Sequence, residues 1–152
     1  MRLPLNFHHR HARLVVLVPV SPPHPWVDTS QYPIVIIEFP SGSPAAEVRA
    51  MTIALRRFAS ELTEPIALVS DLSRIRVSDP ESRSIYVEFV RDMRKTAGHR
   101  VRGTAVVTNS GVQRTLMNLH AMLVGKTPYP VRGFATRAEA LPWLRARLDS
   151  TL

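Results

Sequence analysis

Cysteine is absent from this chain of 152 residues, and that absence excludes several kinds of chemistry at once. Without thiols the chain has no disulfide framework, no thiolate nucleophile, no CxxC redox motif and no zinc site with cysteine ligands. It also has no apolar run long enough to predict a membrane span. With 45% hydrophobic and 21% charged residues, the composition is typical of a folded domain and not of a disordered chain.

The common catalytic motifs are missing as well. The sequence contains no GxSxG, GxxxxGK[ST], GxGxxG or HExxH, so the usual motifs for acyl transfer, nucleotide hydrolysis, hydride transfer and zinc hydrolysis are absent. Two histidines, His99 and His120, lie in the predicted folded part; we expect His99 to face solvent and His120 to be half-buried or at an interface. No pair of acids has a spacing that indicates acid–base catalysis. We therefore expect no enzyme, no metal site and no cofactor.

Charge is the most unusual feature of the composition. There are 20 basic against 12 acidic residues, a net charge of +8, and all but two of the bases are arginine. Three of these arginines lie in residues 1–25, which contain no acid. The rest are spread over predicted helix surfaces and turns without a basic stripe, so we expect an arginine-rich surface and no nucleic-acid binding.

Residues 1–25 differ from the rest of the chain, with five of the 13 prolines and four of the six histidines. The apolar run Leu14–Val18 is interrupted by Pro19 and lacks a cleavage site, which argues against a signal peptide and favours a cytoplasmic protein. His8, His9 and His11 have no carboxylate nearby, so a metal site is not expected. We predict a flexible, basic Pro/His-rich tail over 1–25 and one domain over 26–150.

From residue 26 onward, short β-branched runs alternate with segments of helical period. Predicted strands are Ile34–Phe39, Ile66–Ser70, Gly103–Val107 and Val131–Phe134, with a shorter one at Trp26–Thr29. Predicted helices begin near Pro44, Asp79, Ser110 and Thr136. Because short apolar strands joined by helices are typical of a parallel sheet with covered faces, we predict an α/β fold. It has a single, mostly parallel β-sheet of four or five strands and about four helices.

Helix starts and buried faces are also readable. Ser43 is predicted to cap the first helix, Asp79-Pro80 to open the second, and the capping boxes Ser110-x-x-Gln113 and Thr136-x-x-Glu139 to open the others. The predicted inward positions are Val48, Met51, Leu55, Phe58 and Leu62 in the first helix, Ile85, Phe89 and Met93 in the second, and Ala138, Leu141, Leu144 and Leu148 in the last.

Polar side chains follow the predicted strands, where the crevice at the carboxyl edge of an open α/β sheet binds ligands in many proteins. The candidates are Asp71, Ser73, Arg74, Arg76, Ser78, Asp79, Ser82, Arg83, Asn109 and Arg114. Hydroxyls and arginines beside helix N-termini can hold a phosphate or a carboxylate. The competing interpretation is that these residues cap helices and fill turns.

The third predicted helix has more apolar surface than one buried face requires. Either it is buried on two sides, or Met117, His120 and Met122 form a surface for a protein partner or for self-association.

The order of a strand–helix unit, ALVSDLSRIRVSDPESRSIYVEFVRDM, GTAVVTNSGVQRTLMNL and PYPVRGFATRAEALPWLRARL resembles the STAS domain superfamily. The closest likeness is to its small stand-alone SpoIIAA-like bacterial members, and it covers about residues 26–149. Its most telling pieces are Asp71-Leu72-Ser73 and the closing Phe134-Ala135-Thr136 segment. The resemblance implies a small sheet backed by helices, no cofactor and a role in protein–protein regulation.

Antagonist members of that superfamily carry an Asp-Ser-Ser-Gly motif in which a serine accepts a regulatory phosphate. The matching stretch here is Asp79-Pro80-Glu81-Ser82, in which Pro80 occupies the phosphoacceptor position and has no hydroxyl. Ser78 and Ser82 are neighbours that a kinase could use instead, although helix capping also accounts for them.

Two functional hypotheses follow. The first is a non-enzymatic STAS-like regulatory module that contacts a protein partner or a second copy of itself around Ser73–Arg83 or the third helix. The alternative is a domain that binds a small anion, a nucleotide or an acidic lipid beside Asp71, Asn109 and Arg114.

Overall fold

The computed structural model of the protein describes residues 20–75, 79–111, 113–114 and 128–150. Its elements in chain order are β1 (Val27–Asp28), β2 (Ile34–Glu38), α1 (Ala45–Glu61), β3 (Ile66–Asp71), α2 (Pro80–Thr96), β4 (Val101–Val107), β5 (Val131–Phe134) and α3 (Arg137–Asp149).

The five strands form one sheet in the order β1-β2-β3-β4-β5. β1 pairs with β2 in the antiparallel direction, and every other neighbouring pair is parallel. The predicted α/β class and mostly parallel sheet are confirmed. Of the third predicted helix, the structure describes helical residues only at Gly111, Gln113 and Arg114.

β2 illustrates why these strands form a covered sheet. Ile34, Val35, Ile36 and Ile37 are all at most 2% exposed, so both faces of the strand are buried. Val35 and Ile37 pack in the core beneath α1 and α2, whereas Ile34 and Ile36 pack beneath α3 on the opposite face. Helices therefore cover both sides of the sheet, and four consecutive β-branched residues can be buried without alternation.

The predicted core of α1 is largely correct. Val48, Met51 and Leu55 are buried, while Phe58 and Leu62 are half-buried. The predicted cap is wrong, because Pro44 is the N-cap residue without a side-chain cap bond, and the Ser43 hydroxyl donates to the carbonyl of Pro40.

The predicted starts of α2 and α3 are confirmed: Asp79 accepts from the amide of Ser82, and Thr136 accepts from the amide of Glu139. Ala138 is exposed and was wrongly predicted to face inward. Ala140 is buried instead, because the stripe that also contains Leu144 faces the sheet.

Val20–Pro25, the described end of the N-terminal segment, contacts the sheet edge. The carbonyl of Val20 accepts from the Thr29 hydroxyl at 2.5 Å, and His24 Nδ1 accepts from the Trp26 amide at 3.1 Å. The domain boundary at residue 26 stays a prediction. None of the helices in the described part of the chain is long and apolar enough to cross a membrane.

Candidate functional site

A cleft of about 440 Å³ opens at the carboxyl edge of the sheet, between the ends of β2, β3 and β4 and the start of α2. Its lining residues are Phe39, Ser43, Val48, Leu72, Ser73, Ile75, Asp79, Ser82, Arg83, Tyr86, Thr108, Asn109, Ser110 and Gln113. This is the edge of the sheet at which the polar residues that follow the parallel strands are predicted to meet.

Five of the predicted site residues line this cleft: Ser73, Asp79, Ser82, Arg83 and Asn109. Their functional role stays a prediction.

The other predicted residues are distributed around it. Arg74 lines a shallower hollow next to Ser73 and Asn109. Arg114 donates to the carbonyl of Thr108 at 2.6 Å, which places its guanidinium on the loop after β4. Arg76, Ser78, Met117, His120 and Met122 lie outside the described residues.

Asp71, the last residue of β3, organises the loop that forms one wall. Its Oδ1 accepts from the Ser73 hydroxyl at 2.6 Å and from the Ser73 amide at 3.0 Å. The side-chain amide of Asn109 donates to the carbonyl of Ser73 at 2.7 Å. These bonds link the loops after β3 and β4, so the wall of the cleft is held from both strands.

Arg137 was not among the predicted residues, yet it joins three elements at this edge of the sheet. Its Nε donates to Asp71 Oδ2 at 2.5 Å, and its Nη2 lies 2.5 Å from Glu38 Oε1. One guanidinium therefore joins the ends of β2 and β3 to the first residue of α3. The available signal was its place directly after the cap Thr136, since a helix that follows β5 begins at the same edge of the sheet.

The pKa values of Asp71 and Arg137 follow from their burial and from their hydrogen bonds. Burial raises the pKa of Asp71, but the hydrogen bonds from Ser73 and Arg137 outweigh it and hold that pKa below its ordinary value. For Arg137, desolvation is likewise outweighed by the two carboxylates, and its pKa is raised. Asp71 and Arg137 are accordingly an ion pair, and Asp71 is a poor proton acceptor.

The lowered pKa of Asp71 predicts a pH effect on stability. A carboxylate whose pKa is lower in the folded state stabilises the fold above its unfolded value of about 3.9 and loses that contribution as pH falls further. We expect the free energy of unfolding of the wild type to fall below about pH 4 more steeply than that of Asp71→Asn. Urea titrations at several pH values measure this, and parallel pH profiles for the two proteins would contradict it.

The floor of the cleft is aromatic and mostly apolar. Phe39 and Tyr86 meet edge to face, with ring centroids 5.0 Å apart. The phenol of Tyr86 and the buried hydroxyl of Ser70 are 2.5 Å apart, and desolvation raises the pKa of Tyr86 to about 12. The phenol is thus neutral at physiological pH.

The start of α2 forms the opposite wall. Ser82 is 7% exposed, and its hydroxyl lies 2.7 Å from the Ser43 carbonyl, to which it donates, and 3.2 Å from Asp79 Oδ2. Ser82 therefore joins α2 to the segment before α1. In the described ranges, no group of three or more histidine, aspartate or glutamate side chains is placed to hold a metal ion.

Comparisons with known proteins identify the fold. No protein-family model and no curated protein matches the chain. A solved structure that does match is an uncharacterized protein of the DUF3478 family with a SpoIIAA-like fold, from Shewanella loihica PV-4. The TM-score is 0.57 at 15% identity, over 78% of this chain and 90% of that one. The fold of this chain is SpoIIAA-like, and the expectation drawn from the STAS resemblance is confirmed at the level of the fold.

Proposed function

We propose that this STAS-like module is a non-enzymatic, cytoplasmic regulatory protein that binds a protein partner or a second copy of itself. The contact surface is the cleft and the Ser73–Arg83 segment beside it. The observation that carries this proposal is the cleft at the carboxyl edge, which is lined by apolar side chains and by polar groups bonded mainly to one another.

The hydrogen bonds among the lining residues support the proposal that the cleft binds a protein. The hydroxyl of Thr108 donates to Gln113 Oε1 at 2.9 Å, and Ser73 and Ser82 donate to Asp71 and Ser43. Groups held in this way define a rigid shape. Phe39, Leu72 and Ile75 add apolar surface, whose burial is the main driving force for protein association.

The residues at the start of α2 support partner binding that is not controlled by phosphorylation of its first turn. Pro80 has no hydroxyl to accept a phosphate, and the hydroxyl of Ser82 is buried against Ser43 and Asp79. A kinase would have to unfold the first turn of α2 to reach it. For the described residues of this helix start, the proposed binding therefore does not depend on phosphorylation.

Ile75→Asp tests the proposal, because it places a charge on the apolar wall of the cleft. Ile53→Asp makes the same change on the outer face of α1, where Ile53 is 58% exposed. We expect tagged wild type and Ile53→Asp, expressed in the source organism, to co-purify with a stoichiometric partner or to run as a homodimer. Ile75→Asp should lose that association. Thermal melts establish that each variant is folded.

Absence of any stoichiometric partner or dimer for the wild type would contradict the proposed function. Equal association by folded Ile75→Asp and Ile53→Asp would show that the cleft is not the contact surface.

The volume of the cleft favours a second candidate, a site for a small anionic ligand. About 440 Å³ lies within the range of roughly 300–1,000 Å³ that small-molecule sites span. Among the described residues that line the cleft, Arg83 is the one candidate arginine. A ligand at about 100 times its dissociation constant would stabilise the fold by about 2.7 kcal/mol. Thermal shifts with phosphate, nucleotides and anionic lipids test this, and no shift with any of them would exclude the candidate.

A further inference from the structure

The outward face of α2 carries a basic surface next to the cleft. Arg83, Val87 and Arg91 are spaced by four residues, so they lie along one side of the helix, and we call them the α2 basic face. They line a shallow hollow together with Pro80, Ser84 and Glu88. Val87 is 50% exposed between the two arginines.

Three acids of α1 and α2 are paired with other arginines. Glu81 lies 3.6 Å from Arg49, and Asp92 lies 2.8 Å from Arg56. In α1, Glu61 lies 3.9 Å from Arg57.

Arg83 and Arg91, by contrast, form no ion pair with any residue that the structure describes. Glu88 is the one acid among the described residues that line the hollow, so two bases against one acid leave the hollow with a positive charge.

Arg83 connects this face to the cleft, because it lines both. A partner seated in the cleft would therefore extend over the first turns of α2. Arg83 and Arg91 are eight residues apart, which is about 12 Å along a helix axis. Two carboxylates spaced by about two helical turns, or by about four residues of an extended strand, match that separation.

We propose that the protein partner binds the α2 basic face through an acidic segment. Two of its carboxylates pair with Arg83 and Arg91, and an apolar side chain between them packs on Val87. This inference rests on the proposed function and names the chemistry of the partner. Charge complementarity is the reason to expect an acidic protein segment, since the unpaired charges are arginines, whose planar guanidinium binds carboxylates with two parallel hydrogen bonds.

A defined peptide tests the inference with the full-length chain. The probe is a fluorescent helical peptide with two glutamates two turns apart and a leucine between them; its control carries glutamines instead. We expect the acidic peptide to bind more tightly than the control. The double variant Arg83→Glu/Arg91→Glu should weaken binding by about tenfold or more, since two ion pairs become repulsive. Binding should also weaken with added salt.

Control variants separate this effect from charge reversal elsewhere on the surface and from misfolding. Arg57→Glu reverses the charge of an arginine near the C-terminal end of α1, whose side chain is 85% exposed. This variant should bind the acidic peptide as the wild type does. Arg83→Gln/Arg91→Gln removes the charges without repulsion and should weaken binding less than the reversal. Thermal melts of each variant confirm that it is folded.

Three results would overturn the inference: equal binding of the two peptides, an equal loss for Arg57→Glu, or tighter binding to duplex DNA or phosphatidylserine vesicles than to the acidic peptide. Co-purification of one partner equally with wild type and with Arg83→Glu/Arg91→Glu would also overturn it, while leaving the proposed function intact. Absence of any partner or dimer for the wild type would overturn both.

Discussion

Replacing Arg137 by alanine is expected to lower the free energy of unfolding by about 3 kcal/mol, because it leaves the carboxylate of Asp71 buried without its cation. The Asp71 side chain is 8% exposed while Arg137 covers it, so its carboxylate regains only part of its solvation when the guanidinium is removed. Glu38 is 34% exposed and can be solvated, which keeps the expected loss near the lower end of values for broken buried pairs. Urea unfolding near neutral pH measures the change.

Two comparisons make this result specific. Arg145→Ala removes an exposed arginine from the same helix, with a hydrogen bond to Gln31, and should cost less than about 1 kcal/mol. Asp71→Asn combined with Arg137→Ala should cost less than the sum of the single changes, because the two residues interact directly. If Arg137→Ala lowered the free energy of unfolding no more than Arg145→Ala does, the Asp71–Arg137 ion pair would not stabilise the fold as proposed.

Leu144→Ala is expected to cost about 3 kcal/mol, within the range of about 2–5 kcal/mol for a leucine removed from a packed core. Leu144 is fully buried and packs in the core between α3 and the sheet, with Ile36, Val69 and Ala105. The loss includes the cavity left behind, because the residues packed around Leu144 relax into it only in part.

Leu148→Ala is the matched control on the same helix. Leu148 is only partly buried against that core, so its truncation should cost clearly less than that of Leu144. Thermal and urea unfolding give both values. Equal losses of unfolding free energy would contradict the expectation that Leu144 contributes more than Leu148 to packing α3 on the sheet. α3 is the helix that positions Arg137.

Much of the fold was readable from local patterns. The β-branched run Ile34–Phe39 and the helical spacing of Val48, Met51 and Leu55 predicted β2 and α1 because periodicity is local. The caps at Asp79 and Thr136 were correct for the same reason, since a cap bonds an amide three residues away.

Errors arose where a distant or competing group decided the outcome. The hydroxyl of Ser43 donates to the carbonyl of Pro40 instead of capping α1, and two competing local bonds cannot be ranked from residue types. Ala138 and Ala140 are both compatible with a helix start, and the angle at which α3 packs on the sheet selected Ala140.

The candidate site shows the same division. Ser73, Asp79 and Asn109 were predictable because polar residues after parallel strands meet at one edge of the sheet. That Arg137 pairs with Asp71, 66 residues earlier in the chain, was decided by the tertiary structure.

The alternation of elements, the lack of cysteine chemistry and the missing hydroxyl at Pro80 can be read from the residues alone, because each depends only on residue type and near-neighbour spacing. Which charges are neutralised depends on the packed fold. Arg137, Arg49 and Arg56 meet acids from other elements, whereas Arg83 and Arg91 meet none among the described residues, and ion pairing depends on distances that packing alone sets.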